Sequence, residues 1–219
     1  MLSLLCSSKY VQSYISNDCY TRVKEALSAG RWVYFSGMPC QVAALKKYLG
    51  REYDRLITQD TACHSVPSPM VWKDYAAELE KQHDGRLTSF SFRNKATGWE
   101  GYQIRAEFDN GNEFCQPAAE NPYQRGFLKG LYSRSSCFSC PFKGIERCSD
   151  ITLADYWGVK NIQPEIYNPQ GTSLIFLHSE KGRALMDACH DQLETTLATD
   201  DALAFNPAVL RPIQKPARY

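Results

Sequence analysis

Residues 32–40 read Trp-Val-Tyr-Phe-Ser-Gly-Met-Pro-Cys, and they carry the clearest structural signal in the chain. The first four residues form a short run of β-branched and aromatic side chains, which is typical of a buried strand. Ser36-Gly37 ends that run, and Pro39 fits the first turn of a helix, where its missing N–H is not needed. A strand followed at once by a helix predicts one unit of an α/β fold.

The same alternation of helix and strand continues on both sides of this segment. We expect one helix in residues 17–30 and another in 39–50, where Val42, Leu45 and Leu49 share a face. A second strand is expected in residues 55–61, followed by a third helix in 67–82. This order predicts an α/β fold with a parallel-sheet core and flanking helices.

The middle of the chain has a different pattern. Residues 87–93 and 102–108 alternate between apolar and polar side chains, and a turn at 109–112 leads into residues 113–115. This pattern predicts a small antiparallel β hairpin or sheet inserted into the α/β body. Further on, residues 181–197 are expected to be helical.

These elements divide one domain, residues 1–219, into four parts. The predicted parts are an α/β half (about 17–85), the antiparallel insert (86–120), a cluster-binding and C-terminal α/β part (121–205), and an extended, proline-rich tail (206–219).

Composition excludes several functional classes. Hydrophobic residues make up 43% and charged residues 22% of the 219 residues, as in ordinary globular proteins. A net charge of +1 gives no reason to expect nucleic acid or an anionic membrane as a partner. No apolar run reaches the ~18 residues of a membrane helix, and the apolar start at residues 1–6 is too short for a signal peptide. We expect a cytoplasmic protein without a membrane span.

Nine cysteines are the most informative part of the composition. An odd number cannot pair completely within one chain, and clustered thiols in a reducing compartment are more often metal-binding or catalytic. Four of the nine have ordinary surroundings and are expected to pack as small hydrophobic residues. They are Cys6, Cys19, Cys115 and Cys189.

The other five cysteines lie in contexts that favour a ligand. Cys40 and Cys63 each follow a predicted strand and precede a helix, so both are expected at the carboxyl edge of the sheet. Cys137 and Cys140 form a C-x-x-C step, with Cys148 eight residues later. From the residues alone, an iron–sulfur cluster and a zinc ion are about equally supported, and unliganded cysteines are less so. A thioredoxin-like dithiol is disfavoured because the motif does not follow a strand and open a helix.

Four segments together resemble the coenzyme F420 hydrogenase/dehydrogenase beta-subunit family. They are residues 35–41 (Phe-Ser-Gly-Met-Pro-Cys-Gln), 63–69 (Cys-His-Ser-Val-Pro-Ser-Pro), 137–143 (Cys-Phe-Ser-Cys-Pro-Phe-Lys) and 149–158 (Ser-Asp-Ile-Thr-Leu-Ala-Asp-Tyr-Trp-Gly). Residues 8–13 and 171–174 are similar to further recurring segments of the family. The resemblance covers nearly the whole chain in the right order.

The resemblance implies an iron–sulfur flavoprotein oxidoreductase. Its [4Fe–4S] ligands correspond to Cys40, Cys63, Cys137 and Cys140, and Cys148 falls outside the set. FAD would be the second cofactor, with neighbours at Ser36, Gly37, Asp155, Gly158, Thr172 and Ser173. The implied partners are a ferredoxin-type domain or other redox subunit and a small-molecule hydride carrier such as reduced F420.

Two functional hypotheses from different classes follow. The first is an oxidoreductase subunit that relays electrons between a hydride donor and one-electron carriers such as ferredoxin, the cofactors carrying the chemistry. No acid–base pair or nucleophile stands out, so no catalytic side chain is assigned. The second is a non-catalytic interaction module held together by zinc, or an inactive fragment. Relatives extend upstream with a segment that helps to build the flavin site, so we expect the chain to be truncated at its N-terminus.

Overall fold

The computed structural model describes residues 10–217, so Cys6, Ser8 and Lys9 lie outside the described residues. Seven strands form two sheets. The strands are β1 (Val33–Ser36), β2 (Leu56–Thr61), β3 (Leu87–Asn94), β4 (Gln103–Phe108), β5 (Glu113–Pro117), β6 (Ile151–Asp155) and β7 (Ser173–Leu177).

The described α-helices pack on both sheets. They are α1 (Cys19–Ser28), α2 (Pro39–Leu49), α3 (Pro69–His83), α4 (Pro122–Leu128), α5 (Val159–Ile162), α6 (Glu180–Ala188) and α7 (Pro207–Leu210). Short 3₁₀ turns occupy Ser135–Ser139, Pro164–Ile166, His190–Gln192 and Asp200–Leu203. None of the helices in residues 10–217 combines the length and the apolar composition that a bilayer crossing requires.

The first sheet has the strand order β1-β2-β6-β7. β1, β2 and β6 run parallel, and only β7 is antiparallel to its neighbour β6. The predicted α/β fold with a mostly parallel core is therefore confirmed. Because β1, β2 and β6 point the same way, the segments that follow them leave from one edge of the sheet, which we call the carboxyl edge.

The helix α2 is held against this sheet by a compact apolar core. Val42 and Leu45 are completely buried and pack with Phe35 and Leu56 of the sheet. The helix starts at Pro39, and the Gln41 side chain accepts a hydrogen bond from the Met38 backbone N–H at 2.7 Å. This contact fixes the loop between β1 and α2.

The second sheet is the predicted antiparallel insert, with the order β3-β4-β5. Its inner face packs on α3 and α4 through an aromatic cluster. Trp72 lies edge-on to Phe90, with ring centroids 4.8 Å apart, and edge-on to Tyr123 at 5.5 Å. Such contacts add to the burial of apolar area and hold the insert rigidly.

Asp150 joins three elements at the other end of the first sheet. Its carboxylate accepts hydrogen bonds from the Thr58 backbone N–H at 2.7 Å, the Thr58 hydroxyl at 2.8 Å and the Ser179 hydroxyl at 2.5 Å. Ser179 in turn caps α6. Asp150 is fully buried, and it connects β2, the start of β6 and the start of α6.

Two predicted elements differ from the structure. The helix expected in residues 181–197 ends at Ala188, because residues 191–200 are all exposed and no packing supports further turns. The tail expected to be extended from residue 206 begins instead with the helical turn Pro207–Leu210, in which Val209 is buried in the core.

Cys115 was predicted to pack in the core, but it is exposed on β5. Its thiol donates a hydrogen bond to the Gln103 side chain at 3.0 Å. Cys19 and Cys189 are partly buried.

We predict that Asp150→Asn destabilises the protein by about 2–3 kcal/mol at pH 7, because buried donors lose a charged acceptor. Burial raises the pKa of Asp150, but hydrogen bonds from Ser179 and Thr58 outweigh it and lower the pKa below 3.8. The stabilisation is therefore present above about pH 4 and lost as the pH falls through that lowered value. Urea unfolding at pH 7 and pH 3 measures both effects.

The matched control is Asp187→Asn, which removes an exposed carboxylate from α6. Equal destabilisation by the two substitutions at pH 7, or a difference that grows in acid, would contradict the role given to Asp150.

Candidate functional site

Two cysteines reach the carboxyl edge from neighbouring strands. Cys40 lies in the first turn of α2, four residues after β1 ends, and Cys63 lies two residues after β2. β1 and β2 are paired in register from Val33 with Leu56 to Ser36 with Gln59. The parallel pairing of β1 with β2 therefore brings the segments that carry Cys40 and Cys63 to the same edge of the sheet, as predicted.

The second pair of cysteines comes from the loop between α4 and β6. Cys137 lies within the 3₁₀ turn Ser135–Ser139, and Cys140 follows it directly. The Cys137 backbone N–H donates to the Arg134 carbonyl at 2.9 Å, which closes the turn. Arg134 in turn donates its backbone N–H to the Val66 carbonyl at 2.8 Å, so the loop is joined to the segment after Cys63.

The four thiols are close enough to act on one another electrostatically. Cys63 is influenced by Cys40, Cys137 and Cys140, and Cys40 by Cys140 and Cys137. Burial raises the pKa of Cys63 to about 11, against the opposing effect of Lys143. Partial burial of the thiol also raises the pKa of Cys40, although the residue as a whole is exposed. Burial thus favours the neutral thiol at Cys40 and at Cys63.

Lys143 is the cation that faces this group of thiols. Its ammonium donates hydrogen bonds to the Cys63 carbonyl and, at 2.7 Å, to the Ala208 carbonyl. Burial lowers the pKa of Lys143, while Cys63, Cys140 and Cys137 act in the opposite direction. Within residues 10–217, no ion pair joins Lys143 to a carboxylate.

Arg147 has a different environment although it is only four residues away. Its guanidinium donates to the carbonyls of Gly144, Phe142 and Val209 at 2.9 to 3.2 Å. It also lies 3.7 Å from the buried Asp60 carboxylate, which compensates its charge. Arg147 therefore ties the cysteine loop to β2 and α7 and has its own counter-ion.

Cys148 has a different set of charged neighbours from Cys40 and Cys63. The charged groups that act on it, after burial has raised its pKa, are Lys46, Asp60 and Arg147. It borders a small cavity of about 160 Å³ between α2 and the loop. His64 faces elsewhere: its Nε2 lies 3.2 Å from the Phe127 carbonyl oxygen, and its ring packs on the Phe127 ring.

Three of the residues expected to contact flavin lie on one face of the first sheet. They are Ser36, Asp155 and Ser173. Ser36 pairs with Gln59 in β2, and Asp155 of β6 pairs with Ser173 in β7. Because side chains alternate along each strand, these pairings place the three candidates on the same side of the sheet. Ser36 donates to the Gln59 side chain at 2.6 Å. Asp155 is engaged in a 2.7 Å ion pair with Arg93.

The remaining flavin candidates have evident structural roles. Gly158 has a φ of 81° and lies so close to the Phe205 ring that a side chain would clash. Thr172 donates its hydroxyl to the Ile166 carbonyl at 3.0 Å within the same loop. Gly37 lies where β1 ends, close to the Gln41 side chain. Trp157 stacks on Trp99 with ring centroids 4.7 Å apart.

A network of buried polar groups across the first sheet was not predicted from the sequence. Asp60 accepts a 2.5 Å hydrogen bond from the Thr152 hydroxyl, which also lies 2.9 Å from Nε2 of His178. The contributing strands and loops are far apart in the chain, so no local pattern reveals the network. Polar residues 58–61 lie within a predicted strand, but nothing near them in the sequence pairs them with Thr152 or His178.

In residues 10–217, no three His, Cys, Asp or Glu side chains are placed to hold a single ion. The features together define an α/β protein with four thiols and a partly buried ammonium at the carboxyl edge of its sheet.

A comparison with known families identifies the family to which the chain belongs. Residues 30–201 match the family model that describes the C terminus of the beta subunit of coenzyme F420 hydrogenase/dehydrogenase. The chain belongs to this family. No curated protein matches.

Among solved structures, the chain is similar to a chain of the F420-reducing [NiFe] hydrogenase complex from Methanosarcina barkeri. The identity is 15%, the TM-score is 0.44, and 85% of this chain is covered. The match spans 57% of the length of that hydrogenase chain.

Proposed function

We propose that this protein is an electron-transferring oxidoreductase subunit that binds one [4Fe–4S] cluster through Cys40, Cys63, Cys137 and Cys140. The observation that carries the proposal is the convergence of these four thiols from two strand ends and one loop. Four cysteine ligands complete a [4Fe–4S] site. Such a cluster supplies one-electron transfer, while the protein holds it in place and sets its potential.

The charges around the thiols fit an anionic centre. An ammonium taken out of water without a counter-ion is costly, and Lys143 meets thiols rather than carboxylates. Neutral thiols would leave that charge uncompensated. Thiolates bound to a cluster would compensate it and would also gain from its positive field.

Zinc is the alternative occupant of the same thiols. A single zinc ion with Zn–S bonds of about 2.3 Å requires sulfurs about 3.8 Å apart in a tetrahedron. A cluster binds each thiolate through a different iron and so accepts a wider spacing. The zinc-stabilised interaction module is therefore the second candidate, and iron, sulfide and zinc analysis of anaerobically purified protein separates the two.

FAD is the second cofactor of the proposal. Ser36, Asp155 and Ser173 share the sheet face on which Leu153 is partly exposed, so polar side chains surround an apolar surface there. Such a surface suits a flavin ring with polar edges. Gly37, Gly158 and Thr172 would then shape the adjoining loops. Retention of one FAD per chain after gel filtration tests this part of the proposal.

The partners follow from the proposed relay of electrons. FAD would accept a hydride from a small-molecule carrier such as reduced F420, and the electrons would leave singly to a ferredoxin-type domain or another redox subunit. The site requires reduced thiols, which favours a cytoplasmic location.

We predict that Cys137→Ser and Cys63→Ser each abolish the broad absorbance near 400 nm of anaerobically reconstituted protein, because each removes one of four ligands. Iron and sulfide analysis on the same samples checks the loss. Cys148→Ser is the matched control and should retain full iron and sulfide. Loss of the cluster in the control, or its retention in both ligand variants, would refute the assignment.

We predict that Lys143→Met lowers the reduction potential of the bound cluster. Removal of a nearby positive charge destabilises the reduced form, which carries one more negative charge. Lys143→Arg should restore most of the potential, and Lys47→Met, which removes an exposed cation from α2, should leave it unchanged. Redox titration followed by electron paramagnetic resonance measures the shift. Equal potentials in all four proteins would show that Lys143 has no electrostatic role.

A further inference from the structure

The segments that contain three of the four cysteines have an unusual distribution of charge. Residues 121–145 include two arginines and two lysines but no aspartate or glutamate, and residues 61–73 also lack carboxylates. The whole chain is nearly neutral, with 25 basic and 24 acidic residues. The positive charge is therefore concentrated around the thiols.

Hydrogen bonds join these two segments into one continuous surface. The Ser68 backbone N–H donates to the Tyr132 carbonyl at 2.9 Å, and that of Arg134 donates to the Val66 carbonyl at 2.8 Å. An open groove of about 550 Å³ lies along this junction, with Leu131 and Arg134 in its wall. The groove thus runs beside the turn that carries Cys137.

Exposed apolar side chains accompany the exposed cations on this surface. Met70 is 72% exposed, Leu128 50% and Leu131 49%. We call six of the exposed residues on these segments the basic face. It consists of Met70, Arg125, Leu128, Lys129, Leu131 and Arg134.

We propose that the basic face is the docking surface for a small acidic protein that carries one electron at a time. The proposal rests on the proposed function, because only a redox centre beneath the surface gives such a partner a reason to bind there. Complementary charge speeds and orients the encounter, and exposed apolar residues supply contact area. Electron-transfer encounters of this kind are small and transient.

A protein fits the basic face better than a small anion in the groove. Met70, Arg125, Leu128 and Lys129 are absent from the groove lining, so a small molecule seated there would leave them uncovered. A protein surface would cover the groove and these neighbours together.

The test measures binding rather than turnover. The probe is an acidic bacterial ferredoxin, and isothermal titration calorimetry measures its Kd for the whole chain at low and at moderate salt. We expect binding that weakens at least about tenfold with added salt. The double variant Lys129→Glu/Arg134→Glu should weaken binding at low salt by a similar factor.

The matched control is Arg22→Glu/Arg31→Glu, which makes the same change in net charge at exposed positions on α1 and just after it. Its Kd should remain within about twofold of the unchanged protein. The absence of binding at low salt, or equal weakening in both double variants, would overturn the proposal. Weakening by Arg134→Glu alone, with none from Lys129→Glu, would confine the contact to the groove and would also overturn the proposal.

The experiments distinguish a failure of the docking proposal from a failure of the proposed cluster. Protein that contains no iron but binds ferredoxin through the basic face would contradict the cluster and leave the docking surface standing. Protein that contains the cluster but does not bind ferredoxin would contradict the docking surface and leave the cluster standing.

Discussion

The parallel pairing of β1 with β2 is the constraint on which the thiol site depends. Four residue pairs, from Val33–Leu56 to Ser36–Gln59, set the two strands side by side in the same direction. Cys40 and Cys63 therefore leave the sheet at the same edge. The burial of Leu45 and its neighbours against these strands fixes α2 and with it the position of Cys40. The loop with Cys137 and Cys140 then completes a site that its own sequence does not position.

Two cations near the site have different functions because they have different counter-ions. Arg147 is balanced by Asp60 and bonded to three carbonyls, so it stabilises the loop whether or not a ligand is present. Lys143 is bonded to two carbonyls and faces thiols. Its charge is compensated when those thiols are ionised, which links the stability of the site to the group that binds there.

Much of the architecture could be predicted from the sequence. The strands β1 and β2 lie within one or two residues of their predicted bounds. For β1 the signal is local, since an apolar run ends at Gly37 and Pro39. The antiparallel insert was likewise visible from its alternation. The helix ending at Ala188 and the turn Pro207–Leu210 were not, since tertiary packing decides where both occur.

Some features of the site could likewise be predicted from the sequence, and others could not. The order of strands and helices predicted that Cys40 and Cys63 would lie at one edge of the sheet, whereas only the resemblance to the family implied the full set of four cysteines. The network of Asp60 with Thr152 and His178 joins distant parts of the chain and left no local signal. The contact of Phe205 with Gly158 gives a packing reason for a glycine that the sequence pattern alone had linked to flavin.

The most direct test of the four-thiol centre is the Mössbauer spectrum of protein loaded anaerobically with ⁵⁷Fe, together with its iron and sulfide content. The account predicts about four iron and four sulfide per chain and a spectrum with one [4Fe–4S] component. Iron-free protein that binds one zinc per chain under the same conditions would contradict it.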